Sequence, residues 1–399
     1  MGCCSGAGAS VREIQETLRE KEVHCRPVPA YLFQTDQLCP AFIMNNEILS
    51  PAGNKLLEQS NLGYSPNQLN RTVLLAIEAT AQALHDAGLS PQDLHNKRVG
   101  IALGTTVGCT FHDEHYYIEW RHGNLPAPDP VFHYLNANLA TVLQDILGVK
   151  GPSAVITNAC ASGTDAIGIA RDWLNQDRCD ITLAGGADAL SRIAYYGFAS
   201  LMLLSEFPCT PFDQNRSGLN LGEGAAMVVL QPQEQAEQKK AHVHGWVRGY
   251  GAASDCYHPT APHPVGRGLQ KAITLALADA ELDQDNICFV NAHGTGTSAN
   301  DKAEMAALAA TKLLDCPVMS TKGITGHMLG AAGAAEAILT LLTLREQKTY
   351  GTIGCNQIDQ DLARKPLIEK EEKNLKGKIG ISQSLAFGGT NSALILEAN

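Results

Sequence analysis

Short apolar runs rich in β-branched residues alternate along the chain with longer stretches in which alanine and leucine recur at helical spacing. The short runs predict strands and the longer stretches predict helices. Predicted strands cover 98–103, 153–157, 180–185, 225–231, 243–251, 287–292, 317–320, 378–384 and 392–398. Predicted helices cover 69–87, 162–175, 265–281, 300–314 and 329–346. This alternation is typical of an α/β protein with buried sheets.

One polar segment, "QPQEQAEQKKAH" at 231–242, interrupts the pattern near its middle. It predicts a boundary between an N-terminal half, residues 1–240, and a C-terminal half, residues 241–399. Both halves are rich in strand–helix pairs. A duplicated architecture is therefore predicted, although no repeat is visible in the residues themselves.

Composition and charge narrow the class of protein. The chain has 399 residues, 44% of them hydrophobic and 18% charged, and no apolar run approaches the roughly 20 residues of a membrane span. A net charge of −11 argues against binding nucleic acid or an anionic membrane over a broad surface. We expect a soluble enzyme, in which any acidic partner binds a local basic patch.

The twelve cysteines show no CxxC pair and no repeated spacing, so neither a zinc site nor a disulfide framework is predicted. This usage, with no signal peptide, favours a reducing cytoplasm. The first residues, "MGCCSGAGAS", suggest lipidation, but myristoylation requires Ser or Thr where Gly6 stands. No membrane anchor is expected.

Three glycine-rich segments each follow a predicted strand, and they contain Cys160, His293 and His327. Ligands bind at strand ends and the loops after them in parallel α/β folds, so these three side chains are predicted to converge. The N-terminus of the following helix would stabilise the Cys160 thiolate and make it a nucleophile without an adjacent base. Taken alone, that segment leaves a packing cysteine as the better interpretation.

Other chemistries are less well supported. Zinc would require closer ligand spacing than His293 and His327 offer, and His112 with His115 lacks a third ligand, so no metal is predicted. The glycines do not form a Walker A phosphate loop, because GxxxxGK[ST] does not occur.

Four motifs in register carry a resemblance to a known family: "NACASGTDA", "NAHGTGTSANDKAE", "STKGITGHMLGAAGAAEA" and "FGGTNS". Together with "PFDQNRSGLNLGEGAAMVVL" they resemble the elongating β-ketoacyl-[acyl-carrier-protein] synthases of the thiolase-like superfamily, over nearly the whole chain. The resemblance implies two similar βα halves in a five-layered αβαβα arrangement. It also implies decarboxylative Claisen condensation of an acyl thioester with malonyl-carrier protein.

The resemblance also implies a role for each matching residue. Cys160 would carry the acyl group, and His293 and His327 would hold the malonyl thioester carbonyl. The backbone amides of Cys160 and Phe387 would form the oxyanion hole. The remaining assignments are a supporting charged pair of Lys322 and Glu304, phosphopantetheine contacts from Thr295 and Thr297, and an acyl pocket lined by Phe111, Phe198 and Phe387.

The resemblance leaves open the biosynthetic pathway and the identity of the second subunit. A thiolase would carry a second cysteine in place of "FGGTN", and an initiating synthase would carry Asn in place of His327. The implied partner is an acyl carrier protein, whose phosphopantetheine brings the substrates, with no cofactor held by the enzyme itself. A homodimer is implied. The alternatives are a polyketide or polyene ketosynthase paired with a chain-length-factor-like subunit, and a non-catalytic scaffold subunit.

Three departures from the family pattern qualify these expectations. The chain opens inside the first glycine-rich turn, so the first strand is expected to be missing or replaced. Phe111 adds aromatic bulk to the acyl pocket, so long saturated chains are expected to be poor substrates. Arg71, Arg121 and Arg267 are the candidates for docking an acidic carrier protein.

Overall fold

A computed structural model describes residues 1–29, 33, 39–60, 69–108, 114–129, 131, 138–238, 241–313 and 315–399. In these described residues, ten strands form two sheets of five. The strands are β1 Gly2–Ser5, β2 Val99–Gly104, β3 Ser153–Ile156, β4 Ile181–Asp188, β5 Gly224–Leu230, β6 Gly245–Ser254, β7 Phe289–Asn291, β8 Val318–Met319, β9 Ile379–Leu385 and β10 Thr390–Ala398. All nine predicted strands are confirmed, with ends that differ by a few residues.

The two sheets have the same topology. Their strand orders are β1-β5-β4-β2-β3 and β6-β10-β9-β7-β8. In each sheet the first two pairings are antiparallel and the last two are parallel. This repeated order confirms the predicted duplication.

Helices lie between and outside the sheets. Their bounds are α1 Val11–Glu20, α2 Pro51–Glu58, α3 Arg71–Asp86, α4 Pro91–Leu94, α5 Glu114–Arg121, α6 Leu139–Leu147, α7 Ser162–Asn175, α8 Arg192–Ser200, α9 Gln233–Gln238, α10 Arg267–Asp279, α11 Ser298–Ala310, α12 Lys322–Thr325 and α13 Ala332–Glu346. The five predicted helices correspond to α3, α7, α10, α11 and α13. In the described ranges no helix is long and apolar enough to span a bilayer.

The central layer consists of α7 and α13, which pack against each other and against both sheets. Helix α13 is buried from Ala332 to Leu344, because apolar residues occur on every side of it and its one buried charge, Glu336, is paired. Helix α3 covers the outer face of the first sheet, and α10 covers that of the second. The resulting five layers agree with the implied αβαβα arrangement.

Of the two alternatives for the first strand, missing or replaced, the first is wrong. Gly2–Ser5 forms β1 and pairs antiparallel with β5, in a register that joins Gly2 to Met227. Glycine is required at position 2, since a Cβ there would lie 2.1 Å from the carbonyl oxygen of Ala79 in α3. Cys3 and Cys4 are buried in this strand.

Candidate active site

Two turns of the same form deliver Cys160 and His327 to the centre of the molecule. The first is a 3₁₀ turn, Ala159–Ala161, which leads into α7, and the second is Leu329–Ala331, which leads into α13. Each begins with a non-glycine residue at positive φ, +47° at Ala159 and +51° at Leu329. Such strained positions cluster at functional sites, where surrounding packing maintains them.

The structure brings the three predicted reactive groups together. The ligand atoms of Cys160, His293 and His327 all lie within 4.8 Å of one another, and all three residues are buried. His327 Nε2 is 3.0 Å from Cys160 Sγ. The backbone N–H of Phe387 also hydrogen-bonds to the sulfur, from the opposite side of the junction between the halves.

Hydrogen-bond partners assign the tautomer of each histidine. The backbone N–H of Leu329 donates to His327 Nδ1 at 3.2 Å, and the ammonium of Lys322 lies 3.0 Å from His293 Nδ1. An ammonium group can only donate, so both Nδ1 atoms accept and both Nε2 atoms carry the hydrogen. The Nε2–H of His327 lies against the sulfur, and a nitrogen that carries a hydrogen donates a hydrogen bond instead of binding a metal.

Burial controls the charge of these groups. It lowers the pKa of His293 and His327 well below the ordinary value, and the positive charge of Lys322 lowers both further. Burial also raises the pKa of Cys160 to about 12, against the opposing effect of Lys322. Desolvation at this depth therefore opposes the thiolate that the helix N-terminus was expected to stabilise.

The predicted pairing of Lys322 with Glu304 is also wrong. Lys322 forms its ion pair with Glu336 of α13, and its Nζ donates to the carbonyl oxygen of His293 at 2.6 Å. Glu304 instead accepts from the backbone amides of His293 and Gly294, at 2.6 and 2.8 Å, and from Gln383 at 2.7 Å. Its oxygens are thus occupied in fixing the His293 turn.

The other predicted site residues surround a small cavity. Phe198 and Phe387 stack with ring centroids 5.2 Å apart, and Phe198 meets His327 edge-on at 6.4 Å. The hydroxyls of Thr295 and Thr297 are 2.9 Å apart. All of these residues line a cavity of about 70 Å³, and Cys160 and the two histidines line the same cavity. Phe111 and His112 lie outside the described residues.

Sequence reasoning missed two buried carboxylates near the site. One is Glu336, the partner of Lys322. The other is Asp188, at the end of β4, which accepts from Thr105 Oγ1 at 2.8 Å and from the backbone N–H groups of Thr106 and Gly330, each at 2.7 Å. Both stand alone in apolar segments, "GAAEAILTLL" and "ITLAGGAD". An isolated acid in such a segment is a signal for a buried, partnered carboxylate.

Two sheets of one topology, with a cysteine and two neutral histidines where the halves meet, define a thiolase-like condensing enzyme. Family models support this class. The model for the beta-ketoacyl synthase N-terminal domain matches residues 1–236, and the model for the C-terminal domain matches residues 244–356. The chain belongs to the beta-ketoacyl synthase family.

Two named relatives are an acyl-carrier-protein synthase and a subunit of a polyketide synthase. The chain is 33% identical to the 3-oxoacyl-[acyl-carrier-protein] synthase 2 of Staphylococcus aureus strain N315, over 83% of this chain and 82% of that protein. It is 32% identical to the tetracenomycin polyketide synthase ketoacyl synthase alpha subunit of Streptomyces glaucescens, over 84% and 83%. The solved ishigamide ketosynthase/chain length factor superimposes with a TM-score of 0.89 at 31% identity, over 100% of this chain and 97% of that one.

Proposed function

We propose that this protein is a β-ketoacyl-[acyl-carrier-protein] synthase that extends a carrier-bound acyl chain by two carbons. The observation that carries this proposal is the pair of Nε2–H donors beside the Cys160 sulfur, with both Nδ1 atoms occupied as acceptors. Two fixed neutral donors are what a developing enolate oxygen requires in a site without water. A sulfur nucleophile is what thioester exchange requires.

The first half of the reaction loads Cys160. Its sulfur attacks the carbonyl carbon of the acyl thioester, the bond to the carrier sulfur breaks, and the thiol proton leaves with the carrier arm. The amides of Cys160 and Phe387 stabilise the tetrahedral oxyanion. The hydrogen bond from the Phe387 amide to the Cys160 sulfur supports this role, because it aims the donor at the reacting group.

The second half forms the new carbon–carbon bond. His293 and His327 donate to the carbonyl oxygen of the malonyl thioester, the carboxylate leaves as CO₂, and its electron pair becomes the enolate. The enolate carbon attacks the acyl carbonyl and displaces the Cys160 thiolate, which then takes a proton from solvent. Since the histidines are neutral, loss of CO₂ and not a strong base generates the carbanion.

Supporting residues act on these groups. Lys322 orients His293 through Nδ1, and Glu304 holds the backbone of the His293 turn. Thr295 and Thr297 contact the phosphopantetheine arm that brings each substrate, and the enzyme holds no cofactor of its own. Residues 1–240 supply the nucleophile and residues 241–399 supply the two histidines.

The acyl chain lies beyond the aromatic stack of Phe198 and Phe387. A cavity of about 70 Å³ is too small for a long chain, so the stack opens when the acyl group enters. Phe111 is assigned to the acyl pocket by the family resemblance alone, and its aromatic bulk there would make long saturated primers poor substrates. Elongation of a ladder of acyl-carrier primers tests this, and efficient use of the longest saturated primers would contradict it.

The partner of the enzyme is an acyl carrier protein in the cytoplasm. Arg121 and Arg267 are exposed and suit an acidic partner. Arg71 is less suitable, because it is only 28% exposed and forms an ion pair with the buried Glu223.

Strand β3 lies at the outer edge of the first sheet, with half-buried apolar side chains. This edge supports a homodimer, since exposed apolar strand edges require a cover.

A second function has its own support. The likeness to a ketoacyl synthase alpha subunit, and to a ketosynthase solved with its chain length factor, favours a polyketide or polyene ketosynthase paired with such a subunit. In that case the β3 edge is covered by the second subunit. Co-purification with a chain-length-factor-like protein distinguishes this function from a fatty acid synthase.

One experiment tests the chemistry directly. Acyl-carrier protein is incubated with the enzyme, and intact mass spectrometry should find an acyl adduct that maps to Cys160. Addition of malonyl-carrier protein should then release CO₂ and form a product two carbons longer. The variant C160A should give neither result, whereas C288A, a half-buried cysteine outside the site cavity, should retain both. If the native chain forms no adduct with acyl-carrier protein or with a cerulenin-type reagent, it is a scaffold subunit.

A further inference from the structure

Asp165 has no part in the reaction described above, yet it lies buried one and a half turns beyond Cys160, at the junction of the two halves. It is 3% exposed. Its carboxylate accepts from Asn158 Nδ2 at 2.5 Å, from the Tyr250 hydroxyl at 3.0 Å and from the Ser392 hydroxyl. The three donors belong to the Cys160 turn, β6 and β10.

The chain of contacts continues to the Phe387 turn. Thr390 Oγ1 donates to Asn158 Oδ1 at 2.9 Å. Thr390 directly follows the turn Phe387–Gly389, and Asn158 comes two residues before Cys160. Asp165 therefore ties together the two turns that supply the oxyanion-hole amides.

These turns need such a link because no short covalent path joins them. The Cys160 turn belongs to the first half and the Phe387 turn to the second, with more than two hundred residues between them. The Cys160 turn contains a non-glycine residue at positive φ, Ala159, so this turn is held in place by its surroundings. Two donors to one oxyanion require placement within roughly 0.5 Å.

We propose that Asp165, acting through Asn158 and Thr390, is a positioning residue that sets the spacing between the Cys160 and Phe387 amides. This inference rests on the proposed condensing function. It predicts that the network acts on steps that develop an oxyanion, and that it has little effect on the nucleophilicity of the sulfur.

Two reactions of Cys160 separate these effects. Transfer of an acyl group from carrier protein passes through an oxyanion, whereas alkylation by iodoacetamide displaces iodide and forms none. T390V removes the linking hydroxyl with little change in shape, and T390S keeps it. T80V is the matched control, because Thr80 is a buried hydroxyl that bonds within α3, away from the site.

For T390V and D165A we expect the acylation rate to fall by about 10- to 100-fold, since loss of one oxyanion donor costs 100-fold or more. The fall should appear in kcat with little change in KM. The alkylation rate should change by less than about threefold, T390S should restore acylation, and T80V should match the native chain.

An equal loss of both reactions in T390V, or no loss in either, overturns the positioning role. If D165A does not fold, T390V decides, because it removes one hydroxyl only. Failure of the native chain to become acylated overturns the proposed function itself. Normal acylation of T390V beside a normal native chain overturns the positioning role alone.

Discussion

Lys322 and Glu336 form a charged pair in which neither side chain is more than 3% exposed. Loss of one member leaves the other charge buried without its partner, which costs about 3–5 kcal/mol. We predict that K322M lowers the free energy of unfolding by that amount, and that the double variant K322M/E336L loses less. Urea unfolding of the native chain, both single variants and the double variant tests this. A double variant less stable than K322M would contradict the prediction.

Glu304 gives stability a dependence on pH. Burial raises its pKa from the ordinary 4.5 to about 7. Hydrogen bonds from Gly294, Gln383 and His293 oppose this rise in smaller measure, and the charge of Asp301 adds to it. A carboxyl whose pKa rises on folding binds a proton more tightly in the folded state. Its contribution to stability is therefore present at low pH and is lost as the pH rises from about 4.5 to about 7.

The variant E304Q isolates this contribution. The free energy of unfolding of the native chain relative to E304Q should rise by up to about 3 kcal/mol as the pH falls from 7 to 4.5. Comparison with the variant is needed because His293 and His327, with lowered pKa, destabilise the protein as the pH falls below about 6.5. A difference that does not vary with pH would show that Glu304 titrates normally.

At the scale of elements, the site depends on how closely α7 and α13 approach at their first turns. A Cβ at Gly163 would lie 2.7 Å from the carbonyl oxygen of Gly330 and 3.0 Å from the amide nitrogen of Ala334. These contacts involve backbone, which cannot rotate away. We predict that G163A costs about 1–3 kcal/mol of stability. It should also reduce condensation, since it separates Cys160 from His327.

A matched control for G163A exists in α8. Gly197 is an exposed helical glycine with open space where a Cβ would stand. G197A should stabilise the protein by up to about 1 kcal/mol, because alanine is the better helix former. Thermal unfolding and condensation rates measure both variants. Equal effects of the two substitutions would contradict the claim that the close contact between α7 and α13 excludes a side chain at Gly163.

The strands and the five longest helices were largely predictable, and the contacts between elements were not. Apolar runs and helical spacing identified nine strands and five helices, because each pattern reflects burial of one local segment. They did not identify β1, whose four residues Gly2–Ser5 include a glycine and a serine. That strand forms because β5 offers an edge to pair with, a tertiary effect that overrides local propensity.

For the whole molecule, the exposed edge of β3 predicts association. Ala154 and Ile156 face one side of the sheet, toward the central layer, and Val155 faces the other. Light scattering of the purified chain should give twice the 42.5 kDa of one chain. A monomer that becomes a dimer only with a chain-length-factor-like subunit would support the polyketide function, and a monomer under both conditions would contradict the predicted interface.

The sequence by itself determined nine of the strands, the five longest helices, the family, and the strand-end positions of Cys160, His293 and His327. Each of these depends on local pattern or on motifs read along the chain. Only the tertiary structure decided that Lys322 pairs with Glu336, that both histidines are neutral Nε2–H donors, and that the pKa of Cys160 is raised to about 12. Partner choice and desolvation depend on groups that are distant in sequence and meet only when the two halves pack.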